Sequence, residues 1–175
     1  MGKKKETPDD VNGRLINGQG DQDWSDYPVG FGTYGNNGGG IIALYNAMQL
    51  LGRSVSLGDV NRAMFWEYML AGGGLLGIPP ESICHYLDAH NVRYLCVSSP
   101  DILAEFQAEG AIIILYVINN IDNIFEGCHV MTAQYTNGQY VVYNRYNLDK
   151  ETQAFNSISS IYEGGALVYA IQIFE

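Results

Sequence analysis

A glycine-rich turn at residues 34–40 leads directly into an apolar segment, and this arrangement constrains the fold more than any other feature. Ile41, Leu44 and Met48 follow the spacing of a helix, and the other faces are also largely apolar. A helix from about Gly40 to Leu51 must therefore be buried on nearly all sides, inside a core that other elements supply. Its first turn leaves backbone N–H groups unpaired, so we expect a ligand or a reactive side chain there.

Helical patterns dominate the first half of the chain, and strand patterns dominate the second half. Further helices are predicted at about 57–70, 80–90 and 99–109. Strands are predicted at 92–97, 111–118, 128–135, 139–146 and 166–174. Helices followed by an antiparallel sheet are typical of an α+β fold. We expect one domain over residues 19–175, preceded by a polar N-terminal tail at 1–18 whose start is poorly ordered.

Charge and composition narrow the possible partners. The chain of 175 residues is 47% hydrophobic and carries a formal net charge of −10. Such an acidic surface repels phosphate backbones and acidic lipids, so neither nucleic acid nor a membrane is an expected partner. The sequence shows no long apolar run and no apolar signal segment, which favours a cytoplasmic protein or the mature form of a secreted one. The oligomeric state stays open.

The three cysteines, Cys84, Cys96 and Cys128, are an odd number and lack a CxxC spacing. We therefore expect neither a disulfide nor a zinc site, and all three fit the pattern of small buried hydrophobic residues. No acidic cluster has the spacing of a metal site, and no cofactor is expected. The run at residues 30–35 matches G-x-G-x-x-G, but a proline-containing loop precedes it instead of a strand, which argues against dinucleotide binding.

The dipeptide Asn137-Gly138 between two strand patterns predicts a two-residue hairpin. In that register His129 faces Tyr146, and Asn144 is its diagonal neighbour on the same face. An amide carbonyl beside an imidazole fixes the tautomer of the ring and leaves its other nitrogen to act as a base. The hairpin alone is equally consistent with a histidine that only packs at a strand end.

The two remaining histidines carry less weight as functional candidates. His85 and His90 fall on one predicted helix, where packing and solvent exposure explain the pattern. We expect a structural role for both.

Three segments, taken in order, resemble the papain-like cysteine peptidases, and the closest branch is that of the bacterial double-glycine leader peptidases. Residues 19–24 look like the family's N-terminal Q-x-D-x-x-W segment, and residues 37–43 look like its N-G-C-G-x-x-A helix start. Residues 127–130 and 140–144 look like its H-V strand and the following strand, which ends in Asp or Asn. The resemblance spans about residues 19–174.

The resemblance implies a papain-like fold and gives roles to five positions. His129 would be the general base, and Asn144 would orient it. Gln19 would supply the side-chain amide of the oxyanion hole, with Asn37 as the alternative. Gly39 stands where the family has its nucleophilic cysteine. Asn144 stands where the leader peptidases have Asp, although papain itself uses Asn.

Without a nucleophile, the chain is expected to be inactive as a cysteine hydrolase. One interpretation is a peptide or amide hydrolase in which Gly39 is a substituted position. Another is a natural pseudoenzyme that holds a peptide in its groove without cleaving it. A structural domain with an unused groove is the third alternative. For the first two, the expected partner is a peptide or a protein.

Overall fold

The computed structural model describes residues 5–70, 77–98, 107–122, 127–162 and 164–174. The helices are α1 (Tyr34–Asn37), α2 (Gly39–Leu50), α3 (Leu57–Leu70) and α4 (Pro80–Ala89). The strands are β1 (Pro28–Val29), β2 (Gly32–Thr33), β3 (Arg93–Val97), β4 (Ile112–Ile118), β5 (Cys128–Thr136), β6 (Gln139–Tyr143), β7 (Gln153–Phe155) and β8 (Ala166–Phe174). Short 3₁₀ turns lie at Pro8–Asp10, Gln19–Asp21 and Ser159–Tyr162. Most of the helix predicted at 99–109 lies outside the described residues.

Strands β3 to β8 form an antiparallel sheet in the order β3-β8-β4-β5-β6-β7. Ile112 and Ile114 of β4 belong to the core cluster that also contains α2, whereas Ile113 and Leu115 belong to a second cluster on the opposite face. Strand β4 is therefore buried on both faces, as its continuous apolar sequence predicts. The predicted α+β architecture is confirmed.

Helix α2 lies inside the larger core, as its apolar pattern predicts. Ile41, Ile42 and Leu44 are fully buried, and burying each such side chain stabilises the fold by about 1.5–3 kcal/mol. Thr132 of β5 donates a hydrogen bond of 2.7 Å to the backbone carbonyl of Ala43. This contact fixes the position of α2 along β5, and it places the start of the helix beside the start of the strand.

Part of the predicted N-terminal tail belongs to the core. Val11 and Ile16 are buried. The Asn46 side chain accepts a hydrogen bond of 2.8 Å from the Ile16 N–H and donates one of 2.9 Å to the Ile16 carbonyl. The packed region therefore begins before residue 19, because isolated apolar side chains in a polar segment are enough to anchor it. Trp24 is also fully buried and packs edge-to-face on Tyr34, with ring centroids 5.4 Å apart.

The hairpin of β5 and β6 has the predicted register, in which Thr132 pairs with Tyr143. Strand β6 ends there, earlier than predicted. The next residue, Asn144, has a left-handed backbone conformation with φ of 58°, and this turns the chain out of the sheet. The expected pairing of His129 with Tyr146 is therefore wrong, and Asn144 reaches His129 from a turn.

The G-x-G-x-x-G run at residues 30–35 covers the end of the β1–β2 hairpin and the start of α1. It does not connect a strand of the six-stranded sheet to a helix, which is the arrangement that a dinucleotide-binding loop needs. Among the helices of the described residues, none is both long enough and apolar enough to cross a bilayer.

Candidate active site

The first residue of α2, Gly39, faces the beginning of β5 across the helix–sheet interface. A Cβ atom built on Gly39 would lie 3.4 Å from the carbonyl oxygen of Val130 and 3.7 Å from Cε1 of His129. These are ordinary van der Waals separations, and the φ angle of Gly39 lies outside the left-handed region. Neither space nor backbone conformation therefore requires glycine at this position. A side chain on residue 39 would have the His129 ring as a direct neighbour.

The flanking glycines differ from Gly39. A Cβ atom on Gly38 would lie 2.5 Å from the carbonyl oxygen of Tyr34, and one on Gly40 would lie 3.0 Å from Cβ of Ile78. Gly38 is thus required by a backbone contact within the turn, and Gly40 permits close packing of the segment that precedes α4. Of these three glycines, only Gly39 could gain a side chain without displacing a neighbour.

The ring of His129 is held by a backbone carbonyl. Its Nε2 lies 2.5 Å from the carbonyl oxygen of Asn144. A carbonyl oxygen can only accept, so Nε2 carries the proton and, in the neutral ring, Nδ1 carries the lone pair. Burial lowers the pKa of His129 from its ordinary value of 6.5, and the hydrogen bond to the Asn144 carbonyl partly opposes this effect. His129 is therefore a neutral imidazole at neutral pH, with Nδ1 as its basic atom.

The fully buried side chain of Asn144 faces the N-terminal segment instead of His129. Its Nδ2 donates a hydrogen bond of 2.7 Å to Oε1 of Gln19, and its Oδ1 accepts one of 3.2 Å from the Gln19 N–H. The backbone N–H of Asn144 donates to Oδ1 of Asn17 at 2.7 Å. Orientation of His129 by Asn144 thus occurs through the backbone carbonyl, whereas the sequence suggested the side-chain amide. The left-handed turn at Asn144 is the reason, because it rotates the side chain away from the ring.

The Gln19 side chain is 1% exposed and fully engaged within this network. Its Nε2 donates to the carbonyl oxygens of Tyr34 at 2.9 Å and Gly35 at 3.1 Å. Both amide hydrogens therefore point at the turn before α2, so in this arrangement Gln19 positions the turn and Asn144. Asn37 lies on the wall of the pocket described below. Its side-chain amide packs closely against Gly32, because a Cβ atom built on Gly32 would lie 2.5 Å from Asn37 Cγ.

Asn17 and Asn147 belong to the same network, and no sequence motif marks either of them. Asn147 donates a hydrogen bond of 3.2 Å to the carbonyl of Gly35, the carbonyl that Gln19 also contacts. Its backbone carbonyl accepts a hydrogen bond of 2.7 Å from the Gly20 N–H, so Asn17 and Asn147 both connect the N-terminal segment to the chain that follows β6. The one sequence signal for their role was that Asn17 lies near Gln19 along the chain and Asn147 lies near Asn144.

A pocket of about 740 Å³ opens beside Gly39 and His129. The volume lies in the range of peptide and small-ligand sites. Arg145 is the one formally charged side chain among the described residues of its wall. Its guanidinium lies 4.7 Å from the Tyr146 ring centroid and 4.6 Å from the Phe155 ring centroid. Further wall residues, polar and apolar, are Gln19, Asn36, Asn37, Ile78, Tyr116, Val117, Asn119, Val130, Met131, Asn147, Ile161 and Tyr162.

The remaining histidines and cysteines lie mostly away from this pocket. His85 is exposed on α4 and His90 is exposed directly after it, and the His90 ring stacks on Tyr86 with centroids 4.0 Å apart. Cys84 is buried and Cys96 is half-buried, but Cys128 is exposed at the start of β5 and borders the pocket. The expectation that all three cysteines are buried is therefore wrong for Cys128. It fails because a strand end is less covered than a strand centre. Among the described residues, no group of three or more His, Cys, Asp or Glu could hold a metal ion.

No protein-family model matches the sequence, and no curated protein matches it. Among solved structures, the fold is similar to that of the peptidase domain of Streptococcus ComA, described as a bi-functional ABC transporter involved in a quorum-sensing pathway. The TM-score is 0.51 at 11% sequence identity, and the alignment covers 79% of this chain and 93% of that chain. At this identity the likeness concerns the fold alone. The chain therefore has a fold similar to that of the ComA peptidase domain, which confirms the peptidase-type fold that the sequence resemblance implied.

Proposed function

We propose that this chain is a cysteine-peptidase-like scaffold that holds a peptide in the pocket beside Gly39 and His129 without cleaving it. One observation carries the proposal: the His129 ring lies 3.7 Å from the Cβ position of residue 39, at the first turn of a buried helix. A cysteine there would combine a helix N-terminus with an adjacent imidazole. Those two features lower a thiol pKa and activate the thiolate as a nucleophile.

The tautomer of His129 supports the same assignment. Because Nε2 donates to the Asn144 carbonyl, Nδ1 is the atom that could accept a proton from a nucleophile. With glycine at position 39 there is no thiol for Nδ1 to deprotonate, so the covalent step has no starting atom. Positioning and oxyanion binding alone leave only residual catalysis, many orders of magnitude below that of a complete site. Hydrolysis is therefore not the function of the chain as written.

The wall of the pocket suits a peptide. It combines amide and hydroxyl groups, such as those of Asn36 and Tyr162, with apolar side chains such as Ile78 and Met131. Amides and hydroxyls can satisfy the N–H and C=O groups of an extended main chain, and the apolar surface can bury its side chains. The acidic net charge of −10 favours the encounter of neutral or basic peptides.

The proposal concerns the chain with glycine at position 39, whether that glycine is natural or substituted. Reading codon 39 of the encoding gene distinguishes a natural pseudoenzyme from an inactivated peptidase. In both cases the pocket and its peptide ligand are the same.

A binding measurement on the unmodified chain tests the proposal. We would measure fluorescence polarisation with a positional library of capped, labelled hexapeptides, and mass spectrometry would check each bound peptide for cleavage. We expect a subset of neutral or basic peptides to bind and to stay intact. His129→Ala should weaken that binding at least about tenfold, because it removes one wall of the pocket.

His85→Ala is the matched control, since His85 is exposed on α4 and does not line the pocket. We expect wild-type affinity for this variant. Cleavage of the peptides by the unmodified chain would refute the proposal. It would also fail if no library peptide bound, or if the two histidine variants bound equally well.

A further inference from the structure

Two of the three cysteines meet where α4 packs against the sheet, at a site that the proposed function does not use. The Sγ atoms of Cys84 and Cys96 are 3.0 Å apart. Cys84 is buried on α4, Cys96 is half-buried on β3, and both are free thiols. The odd cysteine count argued against a disulfide, but counting cannot show which thiols the fold brings together.

The connection between α4 and β3 explains why these thiols meet. The Val92 N–H donates a hydrogen bond of 2.9 Å to the Leu87 carbonyl, and Asn91 adopts a left-handed conformation with φ of 53°. This tight turn directs β3 back along α4. Cys84 then lies about 9 Å before the turn along the helix, and Cys96 lies about 13 Å after it along the strand. These two distances differ by only about 4 Å, a gap that the two side chains span to bring their sulfur atoms together.

We propose that Cys84 and Cys96 are a disulfide site of this protein, oxidised by exchange with a low-molecular-weight disulfide such as glutathione disulfide. The half-buried Cys96 thiolate attacks one sulfur of glutathione disulfide and forms a mixed disulfide, and one glutathione thiolate leaves. The Cys84 thiolate then attacks the Cys96 sulfur and expels the second glutathione. Two thiol protons and two electrons leave the protein, and one disulfide is reduced to two glutathione thiols.

The geometry requires little movement for this step. The sulfur atoms need to approach from 3.0 Å to the bonding distance of about 2.05 Å. Burial, followed by the contact with Cys96, raises the pKa of the Cys84 thiol to about 12. Because the thiolate is the attacking species, this raised pKa slows the attack by Cys84. Cys128 lies at the start of β5 and stays outside the pair.

A disulfide between Cys84 and Cys96 would stabilise β3 at the edge of the sheet. Strand β3 is the terminal strand on its side of the described sheet and pairs with β8 alone. A disulfide would link it covalently to α4 and close a loop between positions 12 residues apart in the sequence. Constraining the unfolded chain to that extent raises the melting temperature of a protein of this size by roughly 6–12 °C.

Oxidative refolding of the full chain tests the proposal without depending on access to buried thiols. The protein is unfolded in guanidinium, refolded through a glutathione redox buffer, quenched with acid, alkylated and mapped by mass spectrometry. We expect the Cys84–Cys96 linked peptide, whereas Cys128 stays free or bears glutathione. The oxidised protein should melt at the higher temperature given above, and reduction should reverse the increase.

Oxidation of the unfolded chain in guanidinium shows which disulfide links form without the fold, and it provides the baseline for the refolding experiment. In an unfolded chain the short loop between Cys84 and Cys96 favours their link over the Cys96–Cys128 link by only roughly fourfold. In the refolded protein, the ratio of the Cys84–Cys96 link to the Cys96–Cys128 link should exceed this value by at least about tenfold. Cys84→Ala and Cys96→Ala should each abolish the stabilised product. A ratio equal to the baseline would overturn the proposal, as would refolded protein with free thiols at both positions.

Discussion

A buried glycine is explained most directly by a left-handed backbone conformation or by a neighbour that leaves no room for a Cβ atom. Gly39 has neither, whereas Gly38 and Gly40 both have close neighbours. Glycine also lowers helix stability relative to alanine, by up to about 1 kcal/mol. Packing and conformation therefore do not explain the glycine at residue 39, which lies beside His129.

The lowered pKa of His129 predicts a pH dependence of the stability of the protein. Burial lowers the pKa of His129 in the folded protein below 6.5, so the unfolded chain binds more protons between the two pKa values. The free energy of unfolding should therefore rise with pH across that window, and it should fall as the pH drops below about 6.5.

NMR titration of the ring protons, together with chemical denaturation at several pH values, would check this prediction. His129→Gln should remove this part of the pH dependence while the carboxylate contributions remain. A folded-state pKa of His129 above 6.5 would show that the ring is solvated or ion-paired, contrary to the structure.

At the scale of elements, the site is a junction between the start of α2, the start of β5, the turn after β6 and the segment at 17–19. Gln19 connects the turn after β6 to α1, the short helix before α2, because it accepts from Asn144 and donates to the carbonyls of Tyr34 and Gly35. The N-terminal segment therefore belongs to the site, since it holds the turn whose carbonyl orients His129.

Gln19→Ala should destabilise the protein by about 2–4 kcal/mol, because it leaves several buried polar groups without their partner. Denaturant unfolding would measure the change. Gln22→Ala is the matched control, because Gln22 is only partly buried and bonds to the carbonyls of Asn17 and Gly18. We expect the control to cost less than about 1 kcal/mol. Equal losses for the two variants would mean that the network does not hold the site together.

The sequence predicted those elements whose signals are local. The apolar pattern of α2 and the Asn137-Gly138 turn were sufficient for the buried helix and for the hairpin register. The end of β6 was not predictable in this way, because asparagine can continue a strand or adopt a left-handed conformation, and here it adopts the latter. The contact between Cys84 and Cys96 was missed because it depends on how two elements pack.

At the scale of the whole molecule, the fold alone does not identify the function. The arrangement of helices on an antiparallel sheet is similar to a known peptidase domain, with a TM-score of 0.51 at 11% identity. A fold can carry many functions, so the chemistry has to be inferred from the site. In this chain the site combines a basic imidazole nitrogen, a helix start and a largely uncharged pocket on an acidic protein.

The alkylation rate of a cysteine introduced at position 39 tests the central claim most directly. Gly39→Cys would be treated with iodoacetamide across a pH series, and peptide mapping would separate residue 39 from Cys84, Cys96 and the exposed Cys128. Gly39→Ala, which has no thiol at this position, is the control for folding. It should be at least as stable as the unmodified chain.

We predict a thiol pKa at position 39 below the ordinary value of about 8.5, because the helix start and His129 favour the thiolate. At neutral pH, alkylation should be at least about tenfold faster in Gly39→Cys than in the same variant with His129→Gln. Equal rates in the two proteins, with an ordinary thiol pKa, would contradict the assignment of residue 39 as a nucleophile position.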